Sequence, residues 1–121
     1  MEIKRTGVLI DTNNNIQNIE LDMANGTNNI GVLLNDKITF IGQILREPEK
    51  CNAIIICGKN SFKNKLEINN YNIPPFNEKV YGNMFIICMD SNSEPQNFTV
   101  EDLEDYINNY EEKYNKNYHD L

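Results

Sequence analysis

Tryptophan is absent from the sequence, histidine occurs once and cysteine three times. Each shortage removes a class of chemistry. The only histidine, His119, falls in a stretch (115–121) expected to fray, whereas a catalytic triad or a zinc site needs a histidine held by packing. Cys51, Cys57 and Cys88 are odd in number and contain no CxxC pair, so the expectation is reduced thiols, two of them in apolar strand-like runs, in a cytosolic protein. The six glycines are scattered and form neither a phosphate-binding loop nor a dinucleotide fingerprint. Ser61, Ser91 and Ser93 lie in turn-like segments with no base nearby in sequence. No apolar run is long enough to span a bilayer as a helix, and the start, Met1-Glu2-Ile3-Lys4-Arg5, has no apolar signal region. The acceptor patterns Asn25-Gly26-Thr27 and Asn97-Phe98-Thr99 are therefore read as chance matches in an asparagine-rich chain. The abundance of Asn and Ile and the scarcity of Ala point to an AT-rich genome.

Positive charge is also short. Eleven Lys and Arg stand against eighteen Asp and Glu, giving a net charge of −7 and a pI near 4.6. That balance argues against direct binding to a nucleic-acid backbone. It permits a protein partner, or mimicry of nucleic acid by an acidic face that occupies a DNA-binding or defence protein; plain solubility is the simpler reading. At 121 residues the chain is one domain with room for a real core.

What is present is concentrated between Ile73 and Tyr114. Met84 to Met89 is continuously apolar, the pattern of a strand covered on both faces and so central in its sheet. The span from Val80 to Asp90 is read as that one strand, ended by the polar turn Asp90-Ser91-Asn92-Ser93-Glu94-Pro95. Thr99 is the expected N-cap of a following helix, with Phe98 and Leu103 placed as a hydrophobic staple. Glu101, Asp102, Glu104 and Asp105 put negative charge near the positive end of the helix dipole. Leu103, Tyr106, Ile107, Tyr110 and Tyr114 form one apolar stripe, which predicts that the helix docks on the sheet.

Earlier in the chain, Ile3–Asp11 and Ile16–Leu21 predict a hairpin around an asparagine-rich turn. Within Met23–Asn35, Asn25-Gly26-Thr27-Asn28-Asn29 reads as a loop, and Ile30, Val32, Leu33 and Leu34 as a short helix or a strand, the helix being favoured as the connection across the sheet. Lys37–Leu45 and Ala53–Cys57 predict a second hairpin across the charged turn 46–50. Ser61–Asn72 reads as polar and irregular with one helical turn from Ser61, and Pro74-Pro75 as extended. The expected fold is α+β: a mostly antiparallel mixed sheet of about five strands with the C-terminal helix packed on one face, in a single domain over 1–114. The opening ββαββ order also allows a grasp-like sheet around the first helix.

Two segments match parts of a calcium loop: Asp90, Asn92, Glu94 and Glu101, and Asp11, Asn13, Asn15 and Asp22. Both lack the glycine of the sharp turn, and the first follows a strand instead of a helix. No metal, cofactor or catalytic residue is assigned. Glu101 and Asp105 share a helix face, but acid–base work would require burial beside a cleft. The candidate interaction surface has two parts. Tyr71, Phe76 and Tyr81 flank the proline pair as an aromatic patch or as the edge of the core. Glu104, Asp105, Glu111 and Glu112 line the outer face of the last helix, whose simplest reading is a solvated face.

The segment Val80-Tyr81-Gly82-Asn83-Met84-Phe85-Ile86, with Met89-Asp90, Ser93-Glu94-Pro95-Gln96-Asn97-Phe98-Thr99 and the helix after it, resembles small uncharacterised proteins of large DNA viruses of the mimivirus group. The whole chain is more distantly similar to a domain of unknown function in phage and plasmid proteins. The shared pattern is a first strand like Gly7-Val8-Leu9-Ile10, a strand like Ile54-Ile55-Ile56-Cys57, an extended proline segment, a glycine-containing strand and a final acidic helix. It departs from that pattern between Met23 and Leu34, where the domain has a fuller helix. The resemblance carries no activity to transfer. It implies a viral accessory protein, in the cytoplasm of a host cell or its virus factory. The expected function is a non-enzymatic one, binding another protein, with no membrane partner; the alternatives are the acidic mimic and a small-ligand or nucleotide-binding protein with a pocket near Tyr71–Tyr81.

Overall fold

Two hairpins and a central strand account for most of the backbone pairing. The computed structural model describes residues 2–44, 51–74 and 78–119, with side chains through residue 110. Strands β1 (Lys4–Ile10) and β2 (Ile16–Asp22) pair along their whole length, from Lys4 opposite Asp22 to Ile10 opposite Ile16. Helix α1 (Asn28–Leu34) follows. Its last turn is closed by Asn35 in the left-handed conformation, with the amides of Asn35 and Asp36 donating to the carbonyls of Val32 and Gly31. Strands β3 (Ile38–Ile44) and β4 (Asn52–Gly58) make the second hairpin, with a bulge between Phe40 and Gly42.

Two-residue strands β5 (Ile68–Asn69) and β6 (Val80–Tyr81) then form a ladder of their own. Strand β7 (Met84–Met89), the short β8 (Pro95–Gln96) and helix α2 (Val100–His119) complete the chain. The main sheet has the order β2-β1-β7-β4-β3, with β8 on β7, and every ladder among the described residues is antiparallel. The continuous apolar run thus sits at the centre of the sheet, as its pattern requires. The helix extends to His119, over part of the stretch expected to fray. The charged turn 46–50 lies outside the described residues.

The single strand expected over 80–90 is two strands. Gly82 has φ +81°, a conformation that breaks the pleat, and its amide turns away to the carbonyl of Glu67. Val80 and Tyr81 therefore pair with β5 and not within the main sheet. The far end differs too: the chain does not leave the ladder at Asp90 but folds back on it, placing Pro95 opposite Met89. Proline is tolerated there because β8 is a two-residue edge piece. The turn repeats the β1–β2 turn. In each, the first residue's carbonyl accepts the amide three residues on, from Asn14 or Ser93, and both of these have positive φ. In each, one aspartate carboxylate oxygen accepts two turn amides: Asp11 from Asn13 and Asn15, Asp90 from Asn92 and Glu94. These are the two segments with partial calcium-loop spacing; the aspartates serve the turns themselves.

Alternation along β7 divides the core. Met84, Ile86 and Cys88 face one side, with Val8, Ile10 and Ile55, and are covered by Phe98 and Leu103. Phe85 and Ile87 face the other, with Leu9 and Ile56, and are covered by Met23 and by Ile30 of α1. On this second side the Phe85 ring lies over Gly7. A Cβ there would fall 2.6 Å from Phe85 Cε2 and 2.8 Å from the Ile86 carbonyl oxygen.

The start of α2 matches the cap and staple read from sequence. The Asp102 amide donates to Thr99 Oγ1 (3.2 Å), and the Thr99 amide donates back to Asp102 Oδ2 (3.0 Å), so the cap is reciprocal. Phe98 and Leu103 on either side are fully buried. The Phe98 amide bonds the Thr6 carbonyl and the Val100 amide bonds Asn18 Oδ1, which fixes the helix start to β1 and β2.

Candidate interaction surfaces

The β5–β6 ladder has an inner and an outer face. Asn69 pairs with Val80 and both are buried; Ile68 pairs with Tyr81 and both point outward. Asn69 ties the ladder to the main sheet: its Nδ2 donates to the carbonyls of Ile10 and Gly82, and its Oδ1 accepts the Tyr71 amide. Removing that side chain leaves three backbone groups without this partner. Asn69→Ala is expected to cost about 1–3 kcal/mol, read as a lowered denaturation midpoint; an unchanged midpoint would show that the ladder is held by other contacts.

Ahead of the ladder, residues 59–66 form a hydrogen-bonded turn over the segment where one helical turn was expected from Ser61. It is closed by Lys65 at φ +58°, with the amides of Lys65 and Leu66 donating to the carbonyls of Phe62 and Ser61. Asp36 anchors its root, accepting the Asn60 amide (2.7 Å) and Asn60 Nδ2 (2.9 Å). That backbone bond is the largest cause holding the Asp36 carboxyl below its ordinary value. The turn presents Phe62, 72% exposed, against Tyr81 in an edge-to-face contact with centroids 5.1 Å apart.

Of the aromatic residues singled out in the sequence, Tyr81 belongs to this exposed lobe. Tyr71 is half-buried and packs against the core, and burial followed by the charge of Glu104 raises its phenol. It sits at the edge of the core. Phe76 lies outside the described residues. Glu104 and Asp105 are exposed on α2, while the side chains of Glu111 and Glu112 lie outside the described residues. The Tyr106 hydroxyl donates to the Pro74 carbonyl, and the Tyr110 ring leans on Tyr106 at 6.2 Å.

A second surface, missed in the sequence, lies on the back of the sheet. Helix α1 has only seven residues and covers part of that face. Beside it is an open groove of about 530 Å³, floored by Ile54 and Met89, walled by Phe40 and rimmed by Thr27, Gln43 and Ser93. Phe40 is 59% exposed. The signal was an aromatic on the same face as Ile38 with too little helix upstream to cover both.

Among the described residues no group of three or more Cys, Asp or Glu is placed to hold a metal ion. Burial, then the Asp36 carboxylate, pushes the Cys57 thiol up, so it stays protonated at neutral pH.

Residues 8–106 match the family model described as "Family of unknown function (DUF5880)". The chain belongs to that family. No curated protein and no solved structure matches it. The DUF5880 match runs from β1 into α2 and takes in both the exposed lobe and the back-face groove.

Proposed function

We propose that this DUF5880 protein is non-enzymatic and acts by binding another protein through the back face of its sheet. The observation that carries this reading is the groove beside α1, where Phe40 stands exposed over an apolar floor of Ile54 and Met89. Exposed aromatics at the edge of an apolar depression are the usual anchors of protein interfaces. A viral accessory role, in host cytoplasm or a virus factory, is the setting this reading takes from the sequence resemblance at Val80–Ile86, Met89-Asp90, Ser93–Thr99 and the helix after them. Immobilised protein and its Phe40→Asp variant, cross-linked in lysate of the source cells, test the reading. A protein retained by the first and lost from the second is expected; identical sets from both would sink it.

A second reading is favoured by the same groove. Its volume lies within the range of small-ligand sites, about 300–1,000 Å³, and Thr27, Gln43 and Ser93 supply neutral polar groups at its rim. A thermal-shift screen with uncharged, largely apolar compounds separates the two. Stabilisation that Phe40→Asp abolishes would favour the small ligand.

A further inference from the structure

The turn at 59–66 and the β5–β6 ladder form a lobe with a chemistry of its own. It carries Lys59, Lys63, Lys65 and Lys79 against Glu67 and Glu78, a local excess of positive charge in a chain of net charge −7. All four lysines are exposed, and among the described residues none has a carboxylate within ion-pair distance. Between them stand Phe62, Leu66 and Ile68, 72%, 45% and 39% exposed. The apolar groups are contiguous. Ile68 and Tyr81 are cross-strand partners on the outer face, Phe62 rests edge-on against Tyr81, and Leu66 lies over Gly82.

We propose that this lobe docks the protein on an anionic lipid surface, with Phe62, Leu66 and Ile68 entering the headgroup layer and the lysines meeting lipid phosphates. Apolar insertion and a basic cluster are each weak alone and together give reversible attachment. The geometry favours a bilayer over an acidic polypeptide. Phe62 stands on a closed turn and Ile68 on the outward face of a two-residue ladder, both exposed, an arrangement suited to a deformable layer. A ladder of two residues is too short to accept an added strand. Screening over about 8 Å at physiological ionic strength weakens the repulsion from acidic groups farther away than that.

The absence of tryptophan provides the test. Phe62→Trp makes the lobe's anchor the only indole in the protein. Its emission is expected to shift to the blue with phosphatidylcholine vesicles containing phosphatidylserine, and not with phosphatidylcholine alone. In co-sedimentation with the phosphatidylserine vesicles, Phe62→Ala is expected to weaken partitioning about tenfold. Lys63→Glu with Lys65→Glu is expected to weaken it about a hundredfold, and raised salt to weaken the wild type. These residues are exposed, and circular dichroism of each variant checks that the fold is kept. No partitioning onto phosphatidylserine vesicles, or partitioning that neither set of substitutions changes, overturns the proposal. So does binding to soluble poly-L-glutamate without binding to vesicles, which would make the lobe a site for acidic polypeptide.

Discussion

Gly7→Ala is expected to destabilise the protein by about 3 kcal/mol, although it adds a single methyl group. The Phe85 ring occupies the space where that methyl would go, and the Ile86 carbonyl closes it from the neighbouring strand. Phe85 is fully buried between β1 and the layer of α1, so the ring has nowhere to retreat. The carbonyl belongs to the central ladder and moves only if β7 moves. A double-mutant cycle separates the two obstacles. Phe85→Leu alone leaves a void and is destabilising, but with Gly7→Ala the losses should sum to less than the two singles, by about 1 kcal/mol. Denaturant melts of the three variants measure this. A Gly7→Ala protein with wild-type stability would mean that the ring does not sit on Gly7.

Leu103→Ala has the second large effect, about 2–5 kcal/mol. Leu103 is fully buried against the front of the sheet and is also the inner partner of the staple with Phe98. Thr99→Ala should cost less, about 0.5–2 kcal/mol, because it removes the acceptor for the Asp102 amide and leaves the packing intact. Asp105→Ala, on the exposed face, should change stability by no more than about 0.5 kcal/mol. Urea melts rank the three. Were Asp105→Ala the most damaging, the acidic face would be buried, with a second copy of the chain as the simplest cover.

The parts legible from the sequence were those in which one local rule sufficed. A six-residue apolar run has to be buried on both sides, which placed β7 in the middle. A threonine between a phenylalanine and a leucine at staple spacing marked the start of α2. The reciprocity of that cap was missed because Asp102 stands where the usual pattern has Glu or Gln. The β5–β6 ladder was missed because Ile68 and Val80 are joined by a long, polar and proline-containing connection, and two residues show no periodicity. With the ladder went the lobe, since Phe62 and Leu66 look incidental until Tyr81 and Ile68 are known to lie beside them. The back groove depends on the distance between α1 and the far end of β3, a tertiary quantity with no local signature.

The central place of β7 also sets the order in which the chain can assemble. The hairpins β1–β2 and β3–β4 are local and can close early, but they share no ladder with each other. β7 is inserted between them, setting Ile86 opposite Val8 and Cys88 opposite Ala53, across long stretches of sequence. Such distant pairings slow folding, because the intervening chain must be closed before any contact compensates. During synthesis both hairpins therefore wait with an open inner edge until Met84–Met89 emerges. A nascent chain halted before that strand would display two unpaired apolar edges, the condition in which a small β-rich protein is most exposed to wrong pairing.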